Sequence, residues 1–153
     1  MNIPSKKTKQ WYQEQVVTIL YGNVNGAILG SSVNIALVTF VLWSIFPGIA
    51  LLTWFLFGQL LNAFRLYIRV KYENKPNAYS TNTWLNLHRV LTCISGSLYG
   101  ILAFFFFSSE HPLHQIMVIL LAGGMGAAAV GTHAVDKITY QTFLLPAVVP
   151  LII

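Results

Sequence analysis

Apolar residues run through this chain in long blocks separated by short polar interruptions, and the block lengths decide the predicted elements. The stretch from Trp11 to Tyr21, WYQEQVVTILY, is mixed, with polar residues first and apolar ones gathering at its end. That order predicts an amphipathic helix lying at a membrane interface, with Trp11, Tyr12 and Tyr21 at headgroup level. Four apolar runs follow at 23–46, 49–68, 84–107 and 115–134. Each is long enough to cross a hydrocarbon core of about 30 Å as a helix. A fifth run, QTFLLPAVVPLII, reaches Ile153 with too few residues to cross and no polar flank, so the chain is expected to be a piece of a longer protein. The predicted fold is an all-α integral membrane bundle of about five transmembrane helices, the fifth truncated. Residues 1–22 form a basic, amphipathic N-terminal segment and residues 23–153 the bundle.

Composition supports a membrane setting. The 153 residues are 56% hydrophobic and 8% charged, whereas soluble domains carry roughly 25% charged residues. So few charges cannot build a water-facing surface. The net charge is +5, but the bases sit at the edges of apolar runs, where headgroups and cytoplasmic flanks explain them better than nucleic acid does. Lys6, Lys7, Lys9, Arg65, Arg69, Lys71, Lys75 and Lys137 fall at the N-terminus, the loop between the second and third runs, and the loop between the fourth and fifth. The other two loops, SIFPG and SSEHPLH, contain no Lys or Arg, so the N-terminus is expected in the cytoplasm. The lone cysteine, Cys93, allows no disulfide framework and reads as a small buried hydrophobe.

The stretch AGGMGAAAVGTH, Ala122 to His133, imitates a dinucleotide or phosphate loop. Such a loop needs a preceding strand, a tight turn and, for phosphate, a lysine; here the glycines sit inside an apolar run. Helical spacing gives another reason for small residues. Gly123, Ala127 and Gly131 are four apart, as are Gly124, Ala128 and Thr132, forming two small-residue ridges that let a second backbone approach closely. The fourth run is therefore expected to be the most buried helix, with these residues packing it.

Candidate chemistry is sparse. His133 and Asp136 follow the glycine ridge, three residues apart, and could share a helix face as a signalling pair. His88 and Arg89 suit either a ligand site or an anchor at the membrane edge, with anchoring preferred because Arg89 can snorkel. Glu110, His111 and His114 resemble metal ligands but read better as solvated loop residues, so no metal or cofactor is expected. Asn34, Gln59 and Asn62 are candidates for hydrogen bonds between helices. There is no nucleophile–base pair, no paired carboxylates and no HExxH, so an enzyme active site is not expected here.

In pattern, the basic N-terminus, ALVTFVLWSIFP, WLNLHRVLTCISGSLYGILAFFFF, and the small-residue run leading into a proline-containing one resemble the N-terminal multi-helix membrane sensor regions of bacterial signalling proteins. Those proteins include sensor histidine kinases and diguanylate cyclases. The resemblance covers the chain from about Tyr12 and implies a sensory and anchoring module in the bacterial inner membrane. It also implies a homodimer and a cytoplasmic output domain in the same polypeptide. A small transporter or channel subunit is the alternative, and intramembrane charge is what separates the two.

Overall fold

A computed structural model of the chain describes residues 6–46, 48–106 and 112–151. Every regular element among them is helical: α1 Lys6–Gly22, α2 Val24–Leu42, α3 Ile49–Asn74, α4 Thr81–Phe106, α5 Pro112–His133 and α6 Lys137–Val148, with 3₁₀ turns at Pro76–Ala78 and Val149–Leu151. Three stretches are long and apolar enough to cross a bilayer: Gln10–Leu42 with mean hydropathy 1.6, Ile49–Asn74 with 1.4 and Gln115–His133 with 1.7. Leu29, Phe40, Leu56, Leu60 and Leu120 point outward, which lipid tolerates far better than water; Cys93, expected to be buried, also lies on the exposed side of α4. α6, with 12 residues, rises only about 18 Å.

The expected separation of an interfacial helix from the first span is not observed. Asn23 keeps right-handed helical angles, and hydrogen bonds from Asn23 N to Ile19 O and from Ala27 N to Asn23 O, both 3.1 Å, carry α1 into α2. Nothing at Gly22-Asn23 forbids this, because neither residue removes a backbone donor. Val16, Val17, Leu20 and Tyr21 form one stripe at helical spacing and bury it in a cluster with Leu61, Ile68, Trp84, Leu85 and Leu91. Gly48 supplies the break before α3 with φ of 129°, a conformation that side-chain-bearing residues rarely adopt.

A second apolar cluster fills the other half of the bundle: Ile35, Val38 and Leu42 of α2, Leu51 and Trp54 of α3, Leu98, Tyr99 and Leu102 of α4, with Ala129, Phe143 and Ala147. Trp54 Nε1 donates to Leu98 O at 2.9 Å and ties α3 to α4. The closest helix pair is α4 with α6, and glycine is the reason. A Cβ at Gly96 would overlap the Phe143 carbonyl oxygen, and one at Gly100 would overlap the Pro146 carbonyl oxygen. Gly96 and Gly100 thus form the small-residue pair that brings two backbones together.

Gly123, Gly124 and Gly131 of the α5 ridge make no close contact within the chain. Open space surrounds the Cβ positions of Gly123, Gly124 and Gly131, and Ala127 and Ala128 are exposed. α5 turns Gly126, Ala129 and His133 inward instead, with Leu144 Cδ1 3.5 Å from the Cβ position of Gly126. Among the described residues, Gly123, Gly124 and Gly131 meet no neighbouring helix of the same chain, whereas Ala128 and Thr132 border a cavity shared with α2, α3 and α4, so α5 is not the most buried helix. Leu at Gly96 or Gly100 should therefore overpack the α4–α6 contact and cost about 1–3 kcal/mol or more. Leu at Gly123 should leave the melting temperature of the single chain nearly unchanged. Thermal unfolding of the detergent-solubilised protein followed by circular dichroism checks both; equal losses at the three positions would contradict this packing.

Candidate functional site

Between the two apolar clusters lies a layer of buried polar side chains: Ser31, Asn62, Arg65, His88, Thr92, Ser95 and His133. Each helix from α2 to α5 contributes to it. Asn62 Nδ2 donates to Ser32 Oγ at 2.9 Å and to Ser31 Oγ at 3.3 Å, and Ser31 Oγ lies 3.5 Å from the Tyr99 hydroxyl. Gln59 Nε2 adds a 3.5 Å bond to Ser32 O. Gln59 and Asn62 thus join α3 to α2, whereas Asn34 Oδ1 is buried without a partner.

An aromatic chain leads into this layer. Tyr21 stacks on Tyr72 at 4.4 Å and meets Trp84 edge-on at 5.7 Å, while its hydroxyl donates to Trp84 O at 3.2 Å. Tyr21 touches the ring of His88 at 5.4 Å, His88 meets His133 at 5.5 Å, and His133 meets Phe143 at 6.2 Å. His88 Nε2 and His133 Nδ1 are both buried with no hydrogen-bond partner. Edge-on packing at these distances holds the rings without fixing where their protons go.

The structure brings His88, Arg89, His133 and Asp136 to one place, the junction between α4 and the α5–α6 turn, but pairs them in an unexpected way. α5 ends at His133, so His133 and Asp136 do not share a helix face. Asp136 caps α6 instead, accepting from Thr139 N at 3.1 Å and Thr139 Oγ1 at 2.5 Å. Arg89 is tied to the α5–α6 turn by an ion pair. Its Nε donates to Asp136 Oδ2 at 2.9 Å and its Nη2 to Asp136 Oδ1 at 3.2 Å, a bidentate pair that fixes the start of α6 to α4. Burial pushes the Asp136 carboxyl up, but the hydrogen bonds from Thr139 and Arg89 outweigh it and hold the group below its ordinary value.

Arg65 differs from the other bases in its burial. Its place among the basic positions of the sequence predicts a membrane flank, yet it lies on α3 with 6% exposure, and its Nη2 has no hydrogen-bond partner. Its position inside the apolar run LLNAFRLYI was the available signal. Arg65 exerts its charge on His88, Tyr99 and His133. Arg65, Ser31, Ser95, Tyr99, Thr132 and His133 line a cavity of about 70 Å3, which Ala128 also borders. Of the suspected outer-loop cluster, Glu110 and His111 lie outside the described residues, as does the side chain of His114. Among the described residues no three His, Cys, Asp or Glu side chains are grouped to hold a metal ion. The chain matches no family model, no curated protein and no solved structure.

Breaking the Arg89–Asp136 pair should be costly, because each partner is largely buried and would be left with an unmet charge. Asp136→Asn or Arg89→Gln is expected to cost about 1.5–3 kcal/mol, the range for hydrogen bonds to charged groups. Because the folded carboxyl titrates below its unfolded value, its stabilisation is complete above the ordinary carboxylate range near pH ~3.9 and is lost as pH falls through the lower folded value. Melting curves at neutral and acidic pH check this; the gap between wild type and Asp136→Asn should close only on strong acidification.

Proposed function

We propose that this chain is the membrane-embedded sensory and anchoring module of a bacterial signal-transduction protein. It sits in the inner membrane with its N-terminus in the cytoplasm and passes a stimulus to a cytoplasmic output domain of the same polypeptide. The homodimer and the output domain follow from the resemblance in sequence pattern. The observation that carries the sensory role is the polar layer: buried donors and an unpaired guanidinium surround a cavity inside an otherwise apolar bundle. Buried polar groups without partners are unfavourable for a passive anchor, and a ligand-responsive bundle gives them a use.

The route to the output is short. His133 lines the cavity, and three residues later Asp136 starts α6 while held by Arg89. A shift of His133 on binding would change the tension on that turn and so the setting of α6. A transporter or channel subunit is the second reading, favoured by one observation: Arg65 is a buried base on a long apolar helix.

In the full-length protein, His133→Ala and Asp136→Asn should change basal output by about fivefold or more, the lower bound of ordinary allosteric coupling. Expression and membrane insertion should stay at wild-type levels. Unchanged output in both variants across stimulus conditions would refute the sensory role. Ion or solute flux in proteoliposomes that is lost in Arg65→Gln would establish the transporter reading in its place.

A further inference from the structure

Arg65 presents an unresolved charge. Four acids exist in the chain: Glu73 binds Arg69 at 2.7 Å, Asp136 binds Arg89, Glu14 is exposed and accepts from Gln10, and Glu110 lies outside the described residues. Among the described residues, none faces Arg65, and its Nη2 is fully buried without an acceptor. A guanidinium cannot shed its proton to escape this burial, as a lysine can. It needs a counter-charge.

The cavity beside it has the composition to supply one from outside. Around Arg65 stand the hydroxyls of Ser31 and Tyr99 and the unpartnered Nδ1 of His133, while Ser95 Oγ donates to Leu91 O at 2.9 Å. Glycine, alanine, Met125 and Phe143 make up most of the remaining lining, and no carboxylate of the described residues is part of it. Such a lining repels cations and donates hydrogen bonds to anions. A volume of about 70 Å3 corresponds to roughly five waters, too small for a nucleotide or sugar. Water alone would meet the hydrogen bonds but leave the charge unbalanced. The parallel N–H groups of a guanidinium match a planar oxyanion better than a spherical ion.

We infer that this cavity binds a small planar oxyanion, of the carboxylate, nitrate or bicarbonate class, with Arg65 as its charge partner and Tyr99, Ser31 and His133 as hydrogen-bonding walls. The site stands on the cavity itself; the idea that this anion is the stimulus rests on the sensory reading above.

The test uses the purified chain in lipid nanodiscs, with HEPES, too bulky for the cavity, as the only other anion and ionic strength held constant. Sodium nitrate and sodium formate should each raise the melting temperature along a saturating curve, and sodium chloride should do so more weakly. Arg65→Gln should abolish saturation, Tyr99→Phe should raise the half-saturating concentration about fivefold, and Arg69→Gln, whose partners are Asn25 and Glu73, should leave it unchanged. If Arg65→Gln fails to fold, Tyr99→Phe and Ser31→Ala decide. No saturable shift in the wild type would mean that the cavity holds water only and would overturn the inference, as would curves unaffected by the Arg65 and Tyr99 changes. A chloride response equal to that of nitrate would overturn the planar class. Binding to the chain with no effect of the same anions on full-length output would leave the site standing and refute the sensory role.

Discussion

A guanidinium taken out of water loses solvation that the interior of a helical bundle can restore only through a charge partner and aligned acceptors. Arg65 receives neither from the described residues of the chain. The rest of the arrangement can be understood around that cost. The polar side chains that approach Arg65 come from α2, α4 and α5, so the layer exists only when those helices are assembled with α3. Above and below it, two apolar clusters supply the packing that holds the helices together despite the polar layer.

Two local devices set the geometry of that assembly. Gly96 and Gly100 bring the α6 backbone against α4, which places Phe143 beside the ring of His133 and against Tyr99. Asp136 caps α6 and binds Arg89, which fixes the point where α6 leaves the α5 turn. A change of charge in the cavity is therefore one ring contact from the α5–α6 junction. Arg89 and Arg65 illustrate two treatments of the same residue type in one bundle. Arg89 is paired by a carboxylate that also serves as a helix cap, whereas Arg65 is left open toward a cavity.

The helices were legible from apolar run length, and three long apolar stretches fall where those runs lie. The break at Gly48 before α3 was legible from turn chemistry, but α3 continues through residues 69–74, beyond the apolar run at 49–68. The starts of α4 and α6, marked by Ser80 accepting from Thr83 N at 3.2 Å and by Asp136, were not read from the sequence. Which face of each helix turns inward was not legible, because lipid and protein interior are similarly apolar and periodicity loses its contrast. That is why the conspicuous ridge of α5 was expected inside, while the quieter Gly96/Gly100 pair was passed over. Likewise, His133 and Asp136 read as a pair only while the helix was assumed to continue. Arg65 was hidden by its neighbours: next to Arg69 and Lys71 it resembled one more basic residue at a membrane edge.

Among the described residues, Arg65 is buried without a charge partner. The most direct measurement is the unfolding free energy of Arg65→Met against wild type, in lipid and with HEPES as the only anion. Methionine keeps much of the volume and removes the charge, so an unpaired guanidinium predicts a variant as stable as wild type or more stable, by up to about 1–4 kcal/mol. A loss of about 3–5 kcal/mol would show that Arg65 is held by a partner within the protein and would contradict the account.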